Sequence, residues 1–297
     1  MLRKILRGLG WLLLIAAVVI GAITLWNWDN IQRHFLGGVK VYETTAPTLP
    51  AEIKRPAILV FSKTNGYRHE DSITAAGKLL VDMAAEQGWG IYQTENGAAF
   101  DPAILARFDA VVFNNVSGDV FTAPQRAAMQ QFVENGGGFV GFHASGGDFS
   151  YAWEWYRSTL IGAQFIGHPL EPQFQRGKIN VETKDHSATA ALPDSWSHTD
   201  EWYSFDHSVR DNPGFTVLAT LDEASYPNKR MKILWMKTEL AMGKDHPIAW
   251  SHCVGKGRAF YAAPGHLPAV YAVPEYRTML GGAIRWALKL EGKGCEG

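Results

Sequence analysis

The sequence predicts an α/β fold: a doubly wound, mostly parallel sheet with an antiparallel extension, preceded by one N-terminal transmembrane helix. Three observations carry this. Short apolar runs recur with helical patterns between them, the signature of parallel strands joined by crossovers. In the second half, strand-like segments follow one another with turns instead of helices between them. Ahead of both, Leu9 to Trp26 form 18 residues without a charge, in which Thr24 is the only polar side chain apart from the indoles.

The amino terminus divides into a basic stretch at 1–8, an apolar span at 9–28, and a tether at 29–56. About 20 apolar residues cross a bilayer as a helix, so the span, closed by Trp26 and Trp28, is just long enough. A cleaved signal peptide is the rival reading. It would carry a shorter apolar core and a small-x-small site, and Ile23-Thr24-Leu25-Trp26-Asn27 offers none. Arg3, Lys4 and Arg7 keep the N-terminal end cytoplasmic, which puts the bulk of the chain on the periplasmic or outer face. Pro47, Pro50 and Pro56, with little periodicity around them, mark the tether.

A folded domain over 57–291 follows, with a tail at 292–297. Ala57 to Phe61 reads as a strand buried on both faces, leading through a polar loop into a helix that ends near Glu86. Trp89 to Gln93 is a second strand and Phe108 to Asn114 a third. A helix runs from about Pro124 to Asn135, with Thr122 or Ala123 near its cap and Gly136 at its stop. Phe139 to Phe142 is the fourth strand. Tyr151 leads a short helix to Leu160, and Gly162 to Pro169 reads as a loop. Lys178 to Glu182, Phe215 to Leu221, Pro247 to His252 and Arg258 to Tyr261 are further strands, the last two joined by a Gly255-Lys256-Gly257 hairpin. Glu275 to Leu290 closes the domain as a helix.

Composition excludes some functions. Lys and Arg total 28 against 29 Asp and Glu, with no basic block, so nucleic acid is not a partner. Two cysteines, Cys253 and Cys295, make neither a disulfide framework nor a thiolate cluster.

The fourth strand ends in Gly141-Phe142-His143-Ala144-Ser145. Small residues two before and two after His143 are the spacing of a nucleophile elbow, here presenting imidazole. In a doubly wound sheet, ligands bind off the carboxyl ends of the strands. That rule draws Tyr67, Arg68, His69, Asn114, Asn115 and His143 towards one crevice.

Gly66-Tyr67-Arg68-His69, Gly138 to Ala144, Gly167-His168-Pro169, Asp200-Glu201-Trp202-Tyr203, His246 to Trp250, Gly257 to Tyr261 with Gly265-His266, and Tyr276-Arg277 with Gly281 and Trp286 together resemble the ThuA-like (trehalose-utilisation) family. The resemblance spans Ala57 to Leu290. It implies a class I glutamine-amidotransferase-like, flavodoxin-like fold and a sugar-related role. His143 stands where a glutaminase of this fold carries its cysteine, so thioester chemistry is not expected.

The resemblance raises His143, Glu201 and His266 as catalytic candidates, acting as proton-transfer groups or as ligands of a divalent metal; imidazole and carboxylate suit both, and spacing does not choose between them. Tyr67, Arg68, His69, His168, Trp202, Tyr203 and His246 are candidates for binding a small sugar ligand. The expected function is proton transfer on a carbohydrate or keto-sugar derivative, giving isomerisation or elimination. Two-carboxylate hydrolysis ranks below it, because adjacent Asp200 and Glu201 should point apart. The alternative is a non-catalytic sugar-binding or scaffold domain that retains the fold.

Overall fold

The computed structural model describes residues 2–149, 153–233 and 236–295. Helix α1 spans Leu2–Trp26 and α2 spans Trp28–Phe35. Within α1, Leu6–Trp26 is long and apolar enough to cross a membrane, and none of that segment is buried against the protein. The stretch expected to be a tether carries α2 and then lies along the domain. Gly37 and Gly38, both at positive φ, turn the chain, and the buried Val39 donates its N–H to the Asn65 carbonyl at 2.7 Å. Glu43 pairs with Lys63 and accepts the Gly97 N–H at 2.9 Å. An extended segment that docks through such single contacts has no periodicity to announce it.

A nine-stranded sheet forms the domain. In chain order its strands are β1 (Ala57–Phe61), β2 (Gly90–Thr94), β3 (Ala110–Asn114), β4 (Gly138–Phe142), β5 (Phe174–Val181), β6 (Ser195–Glu201), β7 (Thr216–Asp222), β8 (Pro247–Val254) and β9 (Gly257–Ala262). They lie in the order β2-β1-β3-β4-β9-β8-β7-β5-β6. The first five are mutually parallel and the rest antiparallel, as the change of texture along the sequence predicts. β1, β3 and β4 are buried at every residue, which explains their unbroken apolar runs.

Helix α3 (Glu70–Gln87) follows β1, α4 (Ala123–Glu134) precedes β4, and α5 (Pro274–Ala287) closes the chain. The α4 start is capped at Thr122, whose N–H donates to the Gln125 side chain at 2.9 Å. Val254 pairs with Gly257, so the hairpin turns at Gly255 and Lys256, with Gly255 at φ +57°. Trp155–Ile161 forms the short helix expected near there, with π geometry; Tyr151 and Ala152 lie outside the described residues. The expected loop before Pro169 contains a short strand, Phe165–Gly167, paired with Ser204–Phe205. Cys253 and Cys295 are bonded to each other, tying the tail to β8. A single bridge across 42 residues has no signal in cysteine spacing.

Candidate functional site

The carboxyl ends of the parallel strands supply most of the site. The loop after β1 ends at His69, which precedes α3; β4 leads directly into His143; β9 leads through Ala263, Pro264 and Gly265 to His266. Glu201 comes from the last residue of β6.

His143 sits at φ +50°, the left-handed region that non-glycine residues seldom occupy. The turn therefore has the backbone of an elbow, and the glycine two residues before His143 is sterically required. A Cβ on Gly141 would lie 2.8 Å from the Phe139 ring. The Ser145 hydroxyl instead ties the turn to β3, donating to the Phe113 carbonyl at 2.9 Å and accepting the Val116 N–H at 3.1 Å.

His143 Nδ1 lies 3.0 Å from the Ala263 carbonyl, which can only accept, so Nδ1 carries the proton and Nε2 presents a lone pair. The Tyr203 hydroxyl donates to that Nε2 at 2.9 Å. Glu201 Oε2 is 3.1 Å from His266 Nδ1 and 3.7 Å from His143 Nε2. Its other oxygen is held by Gln173 Nε2 at 2.6 Å and His168 Nδ1 at 3.0 Å. His69 completes the group: its ring meets those of His143 and His266 edge-on, at 4.6 Å from each. One ligating atom from each of His69, His143, Glu201 and His266 falls within 4.8 Å of the others.

Burial sets the charge states. It drives the His143 imidazole well below its usual range, helped by the neighbouring His69 and His266. Burial first, and His266 second, push His69 down to about 3. Both rings are neutral at pH 7. For Glu201, burial works upward, but the His266 hydrogen bond with the charges of His168 and His266 and the Gln173 contact outweigh it, and the carboxyl stays below its ordinary value. Tyr203 is raised well above the usual phenol range, chiefly by burial and then by Glu201, and keeps its proton.

His69, Glu201, Tyr203 and His266 face a cleft of about 560 Å³, whereas His143 is fully buried with its Nε2 against the Tyr203 hydroxyl. Tyr67, His69, His168, Glu201, Tyr203 and His266 line it, together with Gln173, which carries no signal in the sequence. Arg33, His34 and Phe35 of α2 form part of its wall, and Arg33 donates to the Thr64 carbonyl at 2.6 Å on the loop that leads to His69. Besides His143, three of the sequence candidates lie outside the cleft. Arg68 is bound to Glu95 at 2.8 Å and to Glu70. Trp202 is buried in the core with its N–H on the Gln175 carbonyl at 2.9 Å. His246 is buried between Glu223 at 2.9 Å and the Tyr203 carbonyl at 2.8 Å, so it braces the Tyr203 backbone from behind.

Asp200 and Glu201 point apart, as strand geometry requires. Asp200 takes the backbone N–H groups of Gly265 and Leu267 at 2.6 and 3.1 Å, and burial pushes its carboxyl up to about 7. It fixes the loop that carries His266.

Comparison with known proteins agrees with the fold. The crystal structure of a ThuA-like protein from Bacteroides uniformis ATCC 8492 matches with a TM-score of 0.67 at 25% identity, over 82% of this chain and 95% of that one. A ThuA-like protein from Parabacteroides merdae ATCC 43184 matches with a TM-score of 0.61 at 16% identity, over 82% and 93% of the two chains. No curated protein sequence matches. The family model described as trehalose utilisation matches residues 57–287, and the chain belongs to that ThuA family.

Proposed function

We propose that this protein is a membrane-anchored enzyme that acts on a carbohydrate or keto-sugar derivative by proton transfer beside a carbonyl group. The observation that carries the reading is the Glu201 carboxylate held between His266 and His168 in the wall of one cleft, with the neutral His143 Nε2 3.7 Å away and fully buried behind the cleft-lining Tyr203 hydroxyl. A neutral imidazole with its other nitrogen fixed on Ala263 is a proton acceptor of defined direction. Glu201 stabilises the imidazolium that forms, and the Tyr203 hydroxyl, which lines the cleft and donates to that Nε2, relays the proton by giving its own to Nε2 as it takes one from the substrate. Of the adjacent pair only Glu201 lines the cleft, because Asp200 is turned to the backbone; the cleft's other carboxylate, Asp148, accepts the Gly118 N–H, and this arrangement favours isomerisation or elimination over two-carboxylate hydrolysis.

The sugar follows from the family's name and from the aromatic and hydrogen-bonding character of Tyr67, Tyr203 and His168 around the cleft. The outward orientation rests on Arg3, Lys4 and Arg7 before the apolar helix, and the Cys253–Cys295 bond suits an oxidising compartment. The test is turnover of trehalose, sucrose and their 3-keto forms by the full-length protein in detergent, followed by mass spectrometry. Conversion that His143→Ala abolishes supports the proposal. Tight binding without conversion supports a sugar-binding domain instead.

A further inference from the structure

We infer that His69, His143, Glu201 and His266 form a binding site for one first-row divalent transition-metal ion, which Zn²⁺ fits best. The inference rests on the same cleft as the proposed function and gives the His143 Nε2 lone pair an alternative role, ligand instead of proton acceptor, and its test needs no substrate.

The donors have the right type and number. Three imidazoles and one carboxylate suit Zn²⁺, Fe²⁺ or Co²⁺, whereas Mg²⁺ and Ca²⁺ prefer a shell of oxygens. Their spacing approaches that of a ligand shell, with one ligating atom from each within 4.8 Å of the others. Zn–N distances near 2.0–2.1 Å place tetrahedral donors roughly 3.3 Å from one another. The Glu201 oxygen lies 3.1 Å from His266 Nδ1 and 3.7 Å from His143 Nε2.

Beyond type and spacing, the surroundings are those of a ligand shell. A metal-bound imidazole usually gives its second N–H to a carbonyl, which fixes its tautomer and direction. His143 does this through Ala263. A ligating carboxylate is usually gripped at its outer oxygen, and Gln173 and His168 grip Glu201 Oε1. The fourth group supplies an independent sign. His69 Nδ1 is shielded from solvent and has no hydrogen-bond partner among the described residues, although buried polar atoms are nearly always paired. The His69 ring meets both other imidazoles at 84° and 85°, so the three rings converge by their edges and do not stack. Proton transfer alone gives His69 no role; a fourth ligand position does.

Two contacts must yield when the ion binds: the His266 Nδ1 hydrogen bond to Glu201 loses its proton, and the Tyr203 hydrogen bond to His143 opens. The His143 Nε2 lone pair that would ligate it now accepts the Tyr203 hydroxyl at 2.9 Å. The ion and the hydroxyl compete, and binding frees the Tyr203 hydroxyl towards the cleft.

The experiment is calorimetric titration of the chelator-stripped, full-length protein in detergent with ZnCl₂ and CoCl₂, with MgCl₂ as the comparison and visible d–d absorption as the second Co²⁺ readout. The expected result is one Zn²⁺ or Co²⁺ per chain, a raised Tm in its presence, and no comparable binding of Mg²⁺. His69→Ala and His266→Ala should each weaken binding by roughly 100-fold or more, and Gln173→Ala by about 10- to 100-fold, in proteins whose far-UV circular dichroism is unchanged. Tyr203→Phe should keep or raise the affinity. Exposed His207 is the control, and His207→Ala should bind as the wild type does. Absence of binding in the wild type, wild-type affinity in His69→Ala, or loss of binding in Tyr203→Phe would overturn the assignment. Sugar turnover without metal binding would leave the proton-transfer reading standing and remove this one; metal binding without turnover would do the reverse.

Discussion

Asp200 accepts the Gly265 N–H at 2.6 Å, and each of these residues immediately precedes a site residue, Glu201 and His266. One hydrogen bond thus sets the register in which the carboxylate and the imidazole meet at 3.1 Å. Asp200→Ala leaves the Gly265 and Leu267 N–H groups without their acceptor, and each unsatisfied buried donor costs about 1–3 kcal/mol. The expected outcome is a loss of about 3 kcal/mol in urea denaturation together with loss of turnover. Asp200→Asn retains one acceptor oxygen and should fall between the two.

Gly265 offers a sharper probe of the same loop. Its φ of +138° suits glycine, and an added Cβ would stand 2.7 Å from the Tyr271 hydroxyl and 3.0 Å from His143 Cβ. Gly265→Ala should cost about 1–3 kcal/mol and displace His143 and His266 relative to each other, lowering kcat at least tenfold. Gly243→Ala is the control: φ is +79° there too, but nothing lies within 4 Å, so kcat should not change.

Acid stability provides a test away from the cleft. His252 is buried, stacks on Phe215 with centroids 3.7 Å apart, and gives its Nε2 proton to the Thr159 carbonyl at 2.8 Å. Burial, against the pull of that carbonyl, pushes its pKa down to about 4. The unfolded chain, with a histidine pKa of about 6.5, binds the extra proton between those limits. The stability His252 contributes is therefore complete above about pH 6.5 and is lost as pH falls towards 4. His252→Gln should flatten urea midpoints plotted against pH across that window, by about 3 kcal/mol at most. His186 and His198, also pushed down to about 4 by burial, leave a residual slope.

The Cys253–Cys295 bond closes a loop of 42 residues onto β8. Cys253→Ser and Cys295→Ser should each lower stability by about 2–4 kcal/mol, as chain-entropy arguments give for such loops. In intact cells, an alkylating reagent applied after denaturation should label neither cysteine of the wild-type protein unless reductant is added first. Full labelling without reductant would place the domain in the cytoplasm.

The frame of the site was legible where sequence dictates backbone. Gly141 and Ser145 around His143 announce the elbow, Gly141 because a Cβ would clash with Phe139 and Ser145 because its hydroxyl ties the turn to Phe113 and Val116, and the buried apolar strands announce the parallel sheet whose ends converge. Asp200 and Glu201 could be assigned opposite directions from strand geometry alone. What local sequence did not disclose was which neighbour faces what. Trp202 adjoins Glu201 and resembles a sugar platform, yet it packs in the core against the Gln175 carbonyl. His246 precedes a proline as His168 does, yet only His168 reaches the cleft, because Glu223, 23 residues away, captures His246. Gln173 and the α2 wall come from stretches without motif or periodicity. Their roles depend on contacts made only in the assembled fold.

The central claim is that His143 and Glu201 move protons on a keto sugar. It is tested most directly by exchange of hydrogen for deuterium at the carbon beside the carbonyl of a 3-keto disaccharide, followed by proton NMR in D₂O. The full-length wild-type protein should accelerate the exchange, and His143→Ala and Glu201→Gln should each slow it by about 100-fold or more. Exchange at the uncatalysed rate with the wild type, or at the wild-type rate with His143→Ala, would contradict the account.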